Sequence, residues 1–555
     1  MSAILLLSLL GGAYALNCTS QTFSTPVVEG ARILSIAAQV ISSFGGTSGN
    51  DVCFVNVTLT HPGTNDGVNN YYTLPLNNYN DRFQGQGGAG WAAGNPFGLA
   101  TANAEGYAAG TTDAGHELSI ASAQDASGWA LLSPGNVNQY LLLNFARRSV
   151  HDMTVVGKQI TASFYGKEPC WSYFNGCSNG GRQGLQSAQF YPDDYDGILA
   201  GAPAVQWTSL VTFGAWSWSL LTDANYYPDL CEFQGVVDAV TAACDELDGL
   251  KDNMISAPGL CKFDPSTIVG KQYTCFSDGS KRTFSSQIAE IVKKAWAGPH
   301  TPQGQFLWWG LLQGANFTGL YMNKNTGNVE NTPRPFQVSD SWIRAFIAKD
   351  LSFNTSTIKL DQYSDLFLKA HLEYDSTMAS ASPDLRAYKR RGGKIISWQG
   401  LADQLVNPQG TITYYQGVQA RDHSVHDFYR LFFTPGVGHC QGGIGAQPID
   451  PIAQLRDWVE NGTAPATLKA GSAYPINSTS SAAVNATQNV RFLDLCPWPS
   501  VTKYNGKGDP NLATSYSCAT ERGWLDFQGP NGRDYDYFTA PGWYGGDSNI
   551  TQNFA

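Results

Sequence analysis

The stretch Gly176-Cys177-Ser178-Asn179-Gly180 constrains this chain more than any other, because it places a serine between two glycines where a strand should turn into a helix. Ser172-Tyr173-Phe174 before it reads as a short apolar strand, and residues 182–190 after it carry apolar positions at helical spacing. In so tight a turn, side chains at the flanking positions would collide, so Gly176 and Gly180 have a steric task. Ser178 is thereby pushed outward, its hydroxyl exposed beside the free backbone N–H groups of a helix start.

Strand, sharp turn and helix in this order form the nucleophile elbow of the α/β-hydrolases, so an α/β fold of that type is expected. A serine hydroxyl is a weak nucleophile until a base takes its proton, and in that fold the chain order is Ser, then Asp or Glu, then His. Residues 393–398 read as a buried strand, followed by the loop Gln399-Gly400-Leu401-Ala402-Asp403. Residues 428–433 read as another strand, running into the glycine-rich loop Thr434-Pro435-Gly436-Val437-Gly438-His439-Cys440. Ser178, Asp403 and His439 thus come in the required order, each on the loop after a strand. A lone loop Asp is ordinarily a turn former or cap, so Asp403 rests on its position at a strand end. Of the 8 His, the rivals for the base are His61, His116, His151, His300, His371, His423 and His426. His116 and His151 precede the serine, and His423 and His426 fall in a polar helical segment; only His439 has the strand-to-loop setting.

At these residues the chain resembles the tannase and feruloyl esterase family of secreted serine esterases, whose signature couples a Cys-Ser pair at the elbow with a His-Cys pair at the base. Here the pairs are Cys177-Ser178 and His439-Cys440, separated by Asp403. The likeness extends through Arg82-Phe83, Gly85-Gln86-Gly87-Gly88, Phe164-Tyr165-Gly166, Asn179-Gly180-Gly181-Arg182, Asp196-Gly197-Ile198 and Gly201-Ala202-Pro203-Ala204. It implies an ester hydrolase for aromatic acyl groups, either galloyl or feruloyl, on small-molecule or plant-polymer phenolic esters. The loop before Asp403 departs from it, with Gln399 where relatives often carry a histidine, a change expected to alter the acyl pocket.

If Cys177 and Cys440 are bonded, their Cα atoms lie within ~4.4–6.8 Å and bring Ser178 and His439 together. Closing so long a loop is worth at least ~4.7 kcal/mol in the chain-entropy picture. Cys177 is a competing nucleophile, since Cys–His chemistry is also competent, but the glycine spacing centres the elbow on Ser178. The other cysteines of the 11 allow a framework of Cys18–Cys53, Cys231–Cys275, Cys244–Cys261 and Cys496–Cys518, with Cys170 left over or displacing any of these partners.

Residues 1–15 have an apolar core and end in an A-x-A pattern, the mark of a secretory signal. Sequons at Asn17, Asn56, Asn316, Asn354, Asn461, Asn477, Asn485 and Asn549 suit a glycosylated, secreted, extracellular protein, as does the cysteine content. No second long apolar run follows, so no membrane association is expected. A net charge of -11 argues against nucleic acid or another polyanion as partner. The oligomeric state is not legible.

The length exceeds one compact domain without a linker or repeat, which favours an insertion. The expected division is a catalytic α/β-hydrolase domain of residues 16–204 and 391–555, with residues 205–390 inserted as a lid after the strand that follows the nucleophile helix. The lid is aromatic, with Trp207, Trp216, Trp218, Tyr226, Tyr227, Trp308, Trp309, Tyr321 and Trp342. Most should be lid core and a minority should form the acyl pocket. It also holds the acidic run that begins at Cys244 and is closed by Cys261. Its carboxylates repel one another unless a cation neutralises them, and hard oxygens suit calcium. The family resemblance implies a structural calcium held by the side chains of Asp245, Asp248 and Asp252 and the carbonyls of Leu250 and Met254. The alternative is a solvated acidic turn.

An oxyanion site needs two backbone donors: Asn179, after the nucleophile, and a residue of Gln84-Gly85-Gln86-Gly87-Gly88-Ala89-Gly90, with Gly88 first and Gly87 next. The sequence therefore reads as a secreted serine esterase for phenolic-acid esters. A broader aliphatic or polyester esterase and a non-catalytic binding protein on the same fold are the alternatives.

Overall fold

A computed structural model describes residues 17–317, 321–323, 333–473 and 490–525. The leader, the sequons at Asn477, Asn485 and Asn549, and the side chain of Tyr321 lie outside the described residues.

The principal sheet has nine strands. They are β1 (Arg32–Ile41), β2 (Val52–Thr60), β3 (Val68–Pro75), β4 (Arg82–Gln86), β5 (Ala108–Thr112), β6 (Trp171–Cys177), β7 (Gly197–Gly201), β8 (Lys394–Gly400) and β9 (Tyr429–Thr434). Their spatial order is β1-β2-β3-β5-β4-β6-β7-β8-β9. β1, β2, β3 and β5 pair antiparallel, whereas β5 through β9 run parallel. Burial follows from this: β2 alternates buried and half-buried positions, while every residue of β7 is buried, as parallel strands covered on both faces require.

One face is covered by α1 (Ser149–Tyr165), which ends on the left-handed Gly166, and by α2 (Asn179–Phe190). Phe83, Met153, Ile160, Phe174, Leu185 and Ile198 share its core. The other face buries Leu99, Tyr173, Leu199, Trp398, Leu455 and Trp458. β6 and α2 flank the serine, and the strands expected at residues 393–398 and 428–433 are β8 and β9, so the elements around the site stand where the sequence put them.

Between β7 and β8, the described residues of 202–393 add no strand to this sheet. Their helices α3 (Trp207–Ala224), α4 (Leu230–Cys244) and α5 (Tyr363–Met378) take part in two aromatic clusters. One is internal to the segment and includes Trp216, Trp218, Trp308, Trp309 and Tyr363. The other joins Trp207 and Trp342 to Trp91, Trp129 and Phe145 from the loops above the sheet. Trp91 lies 5.0 Å from Trp207 and 5.2 Å from Phe145 between ring centroids. Each such pair adds roughly 0.5–1.5 kcal/mol beyond area burial, so the insertion is anchored to the sheet side.

All five pairs of the cysteine framework are present: Cys18–Cys53, Cys177–Cys440, Cys231–Cys275, Cys244–Cys261 and Cys496–Cys518, with Cys170 free and exposed.

Candidate active site

Ser178 sits between β6 and α2 with φ 63° and ψ −122°, a conformation L-residues rarely adopt, so the turn is strained and its surroundings must hold it. Two features do so. The Ser178 N–H donates to Gly201 O at 3.0 Å, and the flanking glycines let backbones touch. A Cβ on Gly176 would stand 2.6 Å from the carbonyl carbon of Gly180, and one on Gly180 would stand 2.9 Å from Gly88 O.

Asp403, on the loop after β8, is almost fully buried and its carboxylate is tied down from several sides. Oδ1 accepts the N–H groups of Leu405 at 2.9 Å and Val406 at 2.8 Å, and Oδ2 accepts Gln399 Nε2 at 2.7 Å. His439, on the loop after β9, directs Nδ1 at this carboxylate, 3.0 Å from Oδ2 and 3.1 Å from Oδ1. The His439 backbone N–H is held by Gln404 Oε1 at 3.1 Å. The Cys177–Cys440 bridge, with Cα atoms 6.0 Å apart, sets the histidine loop against the serine turn. His439 Nε2 contacts Cys440 Sγ at 3.7 Å and makes no hydrogen bond to the Ser178 hydroxyl in this conformation. Ser178 and His439 line one cavity of about 640 Å³. Its lining mixes apolar side chains, Trp207, Leu210, Val211, Phe336, Val338 and Val406 among them, with polar ones that include Gln84, Gln86, Asn95, Glu105 and Gln441. The cavity that Ser178 lines thus offers both apolar surface and polar groups to a ligand.

Gln399 is not part of that lining. It is fully buried, donates from Nε2 to Asp403 and to Val406 O at 3.1 Å, and accepts from Thr411 Oγ1 at 3.0 Å. The departure at Gln399 therefore touches the support of Asp403 and not the acyl pocket. Of the tryptophans and tyrosines singled out in the insertion, Trp207 lines the cavity; Phe336, its other aromatic side chain, was not foreseen. It is the single residue between a three-residue strand, Pro333–Pro335, and a five-residue helix, Gln337–Ser341, both too short to show a period.

The expected oxyanion glycines require correction. The Gly88 N–H is spent on Gln183 Oε1 at 2.9 Å, and the Gly87 N–H on Asn175 O at 2.9 Å. Both positions need glycine because another part of the backbone approaches: a Cβ on Gly88 would stand 1.9 Å from Ala92 O, and one on Gly87 would stand 2.7 Å from Gly180 Cα. Asn179 opens α2, so its N–H has no acceptor within the helix, and Ala89 lines the cavity with its N–H donating to no described residue.

Arg182, one turn into α2, is a site residue that sequence reasoning left without a role. Fully buried, its guanidinium donates to Asn179 Oδ1 at 2.8 Å, Ala146 O at 3.0 Å and Gln186 Oε1 at 3.1 Å. It also lies 5.2 Å from the centre of the Trp207 ring. Burial lowers its pKa to about 9. Ala146 belongs to a π-helical turn, Asn144–Arg148, which sits directly before α1.

Five of the seven rival histidines are otherwise engaged. His61 is clamped between Asp66 and Asp152, His151 pairs with Asp194 at 3.0 Å, and His426 meets Tyr415 Oη at 3.1 Å. His116 is buried on Trp129, and burial pushes its pKa down to about 4. His371 completes a second Ser-His-Asp string: Nε2 is 3.1 Å from Ser209 Oγ, and Nδ1 is 2.8 Å from Asp375 Oδ2. Ser209 is 1% exposed inside α3 and does not line the cavity, so this string clasps two helices and meets no substrate.

In the acidic loop, Asp245, Asp248 and Asp252 are all buried. Asp245 Oδ1 accepts the N–H groups of Asp252 at 2.9 Å and Met254 at 3.3 Å, and Asp248 Oδ1 accepts that of Leu250 at 2.9 Å. Asp252 Oδ2 pairs with Arg491 at 2.8 Å, but Asp252 Oδ1 is buried without a partner. The carbonyls of Leu250 and Met254 accept no hydrogen bond from the described residues. Among the described residues no three His, Cys, Asp or Glu side chains form a ready-made metal centre. What the loop offers is a mixed set of hard oxygens, one of them orphaned, and that donor chemistry fits calcium.

Comparisons with known proteins show the family. A family model described as tannase and feruloyl esterase matches residues 53–519. A probable feruloyl esterase of Arthroderma benhamiae is 41% identical over 91% of this chain and 94% of its own length. A mono(2-hydroxyethyl) terephthalate hydrolase of Piscinibacter sakaiensis is 29% identical over 80% of each chain. Among solved structures, a tannin acyl hydrolase from Aspergillus niger superposes with a TM-score of 0.80 at 26% identity, covering 95% of this chain and 98% of that one.

Proposed function

The chain belongs to the tannase and feruloyl esterase family and is a carboxylic ester hydrolase, and from that premise we propose that it cleaves phenolic-acid esters through Ser178, His439 and Asp403. The observation that carries this reading is the joint placement of Ser178 and His439 on one half-apolar cavity, with His439 Nδ1 3.0 Å from a buried carboxylate. Strand ends supply each group: the serine follows β6, the aspartate β8 and the histidine β9. That pattern supports the α/β-hydrolase reading, with residues 205–390 as the lid.

In the proposed reaction His439 Nε2 takes the proton of Ser178 as Oγ attacks the ester carbonyl. Asp403 holds the imidazole tautomer and stabilises the imidazolium that forms. Negative charge on the carbonyl oxygen meets the N–H groups of Asn179 and Ala89. His439 then protonates the leaving alcohol, and a water molecule, deprotonated by the same ring, hydrolyses the acyl-enzyme. The acyl ring lies against Trp207, Leu210 and Phe336. Three of the similar proteins are a probable feruloyl esterase, a terephthalate hydrolase and a tannin acyl hydrolase, which supports an aromatic over an aliphatic acid. Calcium is proposed as a structural ion on the side chains of Asp245, Asp248 and Asp252 with the carbonyls of Leu250 and Met254. It would neutralise the loop and takes no part in the reaction. Disulfide content supports an extracellular setting.

The test is hydrolysis of methyl gallate and methyl ferulate side by side, with a Ser178→Ala control. Turnover of either ester by the wild-type chain and loss of roughly 10⁴-fold or more in the control are expected. Turnover of a short aliphatic ester alone would refute the aromatic assignment, and full activity in the control would remove Ser178 from its role.

A further inference from the structure

Of the two proposed oxyanion donors, Asn179 stands on a helix but Ala89 stands on a loop, and the loop is folded narrowly back on itself. Gly87 and Gly94 form an isolated antiparallel bridge at its base. At its tip the Ala92 N–H donates to Ala89 O at 2.9 Å and closes a tight turn. The level between bridge and turn belongs to Gly88 and Ala93, both buried. A side chain from α2 fills it. Gln183, 1% exposed, accepts the Gly88 N–H on Oε1 at 2.9 Å and donates from Nε2 to Ala93 O at 2.9 Å.

One partner is a donor and the other an acceptor, so the amide can face only one way, and neither an apolar side chain nor a carboxylate of that length serves both. The same face of α2 carries Asn179 one turn earlier, and Asn179 Nδ2 donates to Ala92 O at 3.1 Å. The Gly180 N–H donates to Gly88 O at 2.9 Å. With its N–H on Gln183 and its carbonyl on Gly180, Gly88 has both of its peptides held. Peptide planarity then fixes the direction of the Ala89 N–H, which belongs to the second of them. Gln183 itself does not line the cavity.

We propose that Gln183 is a positioning residue of the oxyanion site, holding the Ala89 N–H in register with that of Asn179 and touching no substrate. This rests on the reading of Ser178 as nucleophile and of Asn179 and Ala89 as the oxyanion donors. Without the amide, the Gly88 N–H and Ala93 O would be buried and unpaired, and the loop would shift until they found partners. A displaced donor still admits the ester, whose neutral carbonyl asks little of it, but fails the charge that develops on attack. The loss therefore falls on kcat and not on KM.

The test is steady-state hydrolysis of whichever of methyl ferulate and methyl gallate the wild-type chain turns over, beside Ser178→Ala. Gln183→Met keeps the length and removes donor and acceptor; kcat should fall roughly 10- to 100-fold with KM within about twofold. Gln183→Glu keeps the acceptor, but as a carboxylate it cannot donate to Ala93 O, whereas protonated it does both. Burial raises the pKa of a carboxyl group, so the ratio of its kcat to the wild-type value should climb on acidification. Unfolding midpoints above the assay temperature show that the variants are folded, and if Gln183→Met does not fold, the acid-dependent ratio decides alone. Unchanged kcat in Gln183→Met, a change confined to KM, or a ratio flat with pH overturns the proposal and leaves the reading of Ser178 standing. Full activity in Ser178→Ala, or no hydrolysis of either ester by the wild-type chain, removes that reading and this inference with it.

Discussion

Cys177 and Cys440 are 263 residues apart in sequence and bonded in space, and each is the immediate neighbour of a group in the proposed triad, Ser178 after the first and His439 before the second. The bridge is thus the shortest covalent route between proposed nucleophile and base.

Replacing both cysteines by serine should therefore cost activity as well as stability. The chain-entropy picture gives roughly 5 kcal/mol for so long a loop, with measured values often smaller. Misplacement of about 1 Å at a reacting group costs on the order of 100-fold in rate. A lowered unfolding midpoint and a lower kcat in the still-folded double variant are expected. An unchanged kcat would leave the bridge a purely structural staple.

Gln399 should behave as a positioning residue. Its side chain touches Asp403 Oδ2 and Thr411 but not the cavity. A hydrogen bond to a charged group is worth about 1.5–3 kcal/mol, so Gln399→Leu should lower kcat roughly 10- to 100-fold with KM nearly constant. Gln399→His retains a ring N–H donor and should recover part of the loss. A KM effect without a kcat effect would return this residue to the pocket.

Chelator treatment should lower the unfolding midpoint by a few degrees, and added calcium should restore it, following the stabilisation that any ligand of the folded state confers, about 2.7 kcal/mol at a hundredfold excess over Kd. Asp248→Asn should weaken the response. Activity of the folded, chelated enzyme at low temperature should persist. A midpoint indifferent to both chelator and calcium would leave a solvated acidic turn braced by Cys244–Cys261 and Arg491.

A pH dependence should arise far from the site. His61 Nδ1 is 2.6 Å from Asp66 and Nε2 is 2.9 Å from Asp152, with Arg148 close by. Burial works against the charged ring, but the hydrogen bonds to Asp152 and Asp66 outweigh it and raise the His61 pKa. Burial likewise opposes the Asp66 carboxylate, yet the donors around it, led by the His61 backbone N–H, hold its pKa well below the usual range. A raised histidine contributes stability that is complete below its unfolded pKa of about 6.5 and lost as pH rises through the folded value. A depressed carboxylate contributes stability present above about 4 and lost on acidification. Stability from this cluster should peak between those limits, and His61→Gln should flatten the alkaline side of a midpoint-versus-pH curve. An identical curve in the variant would remove His61 as the cause.

Most of the proposed site was legible because its signals are local. A serine between glycines, a carboxylate after a buried strand and a histidine in a glycine-rich loop are each short-range patterns, and β6, β8 and β9 stand where those patterns put them. The oxyanion glycines were misread for an equally local reason. A glycine-rich loop announces that something approaches the backbone, and at Gly87 and Gly88, which also line the cavity, it is Gly180 and Ala92 that a side chain would meet. Sequence carries the demand for space but not the identity of the neighbour. Phe336 left no signal because the strand and helix that flank it are too short to show a period.

What the sequence determined by itself was the local setting of the proposed groups: the elbow, the order Ser178, Asp403, His439, and the family pattern of paired cysteines. What only the tertiary structure decided was which groups share a space. Ser209, His371 and Asp375 make a string of bonds like that of a hydrolytic triad, yet they are sealed between helices, while Ser178 opens on a cavity. Backbone turns and strand ends are set by residues a few positions apart, whereas exposure, cavity walls and the partner of a buried N–H depend on chain segments hundreds of residues away. Packing alone settles those.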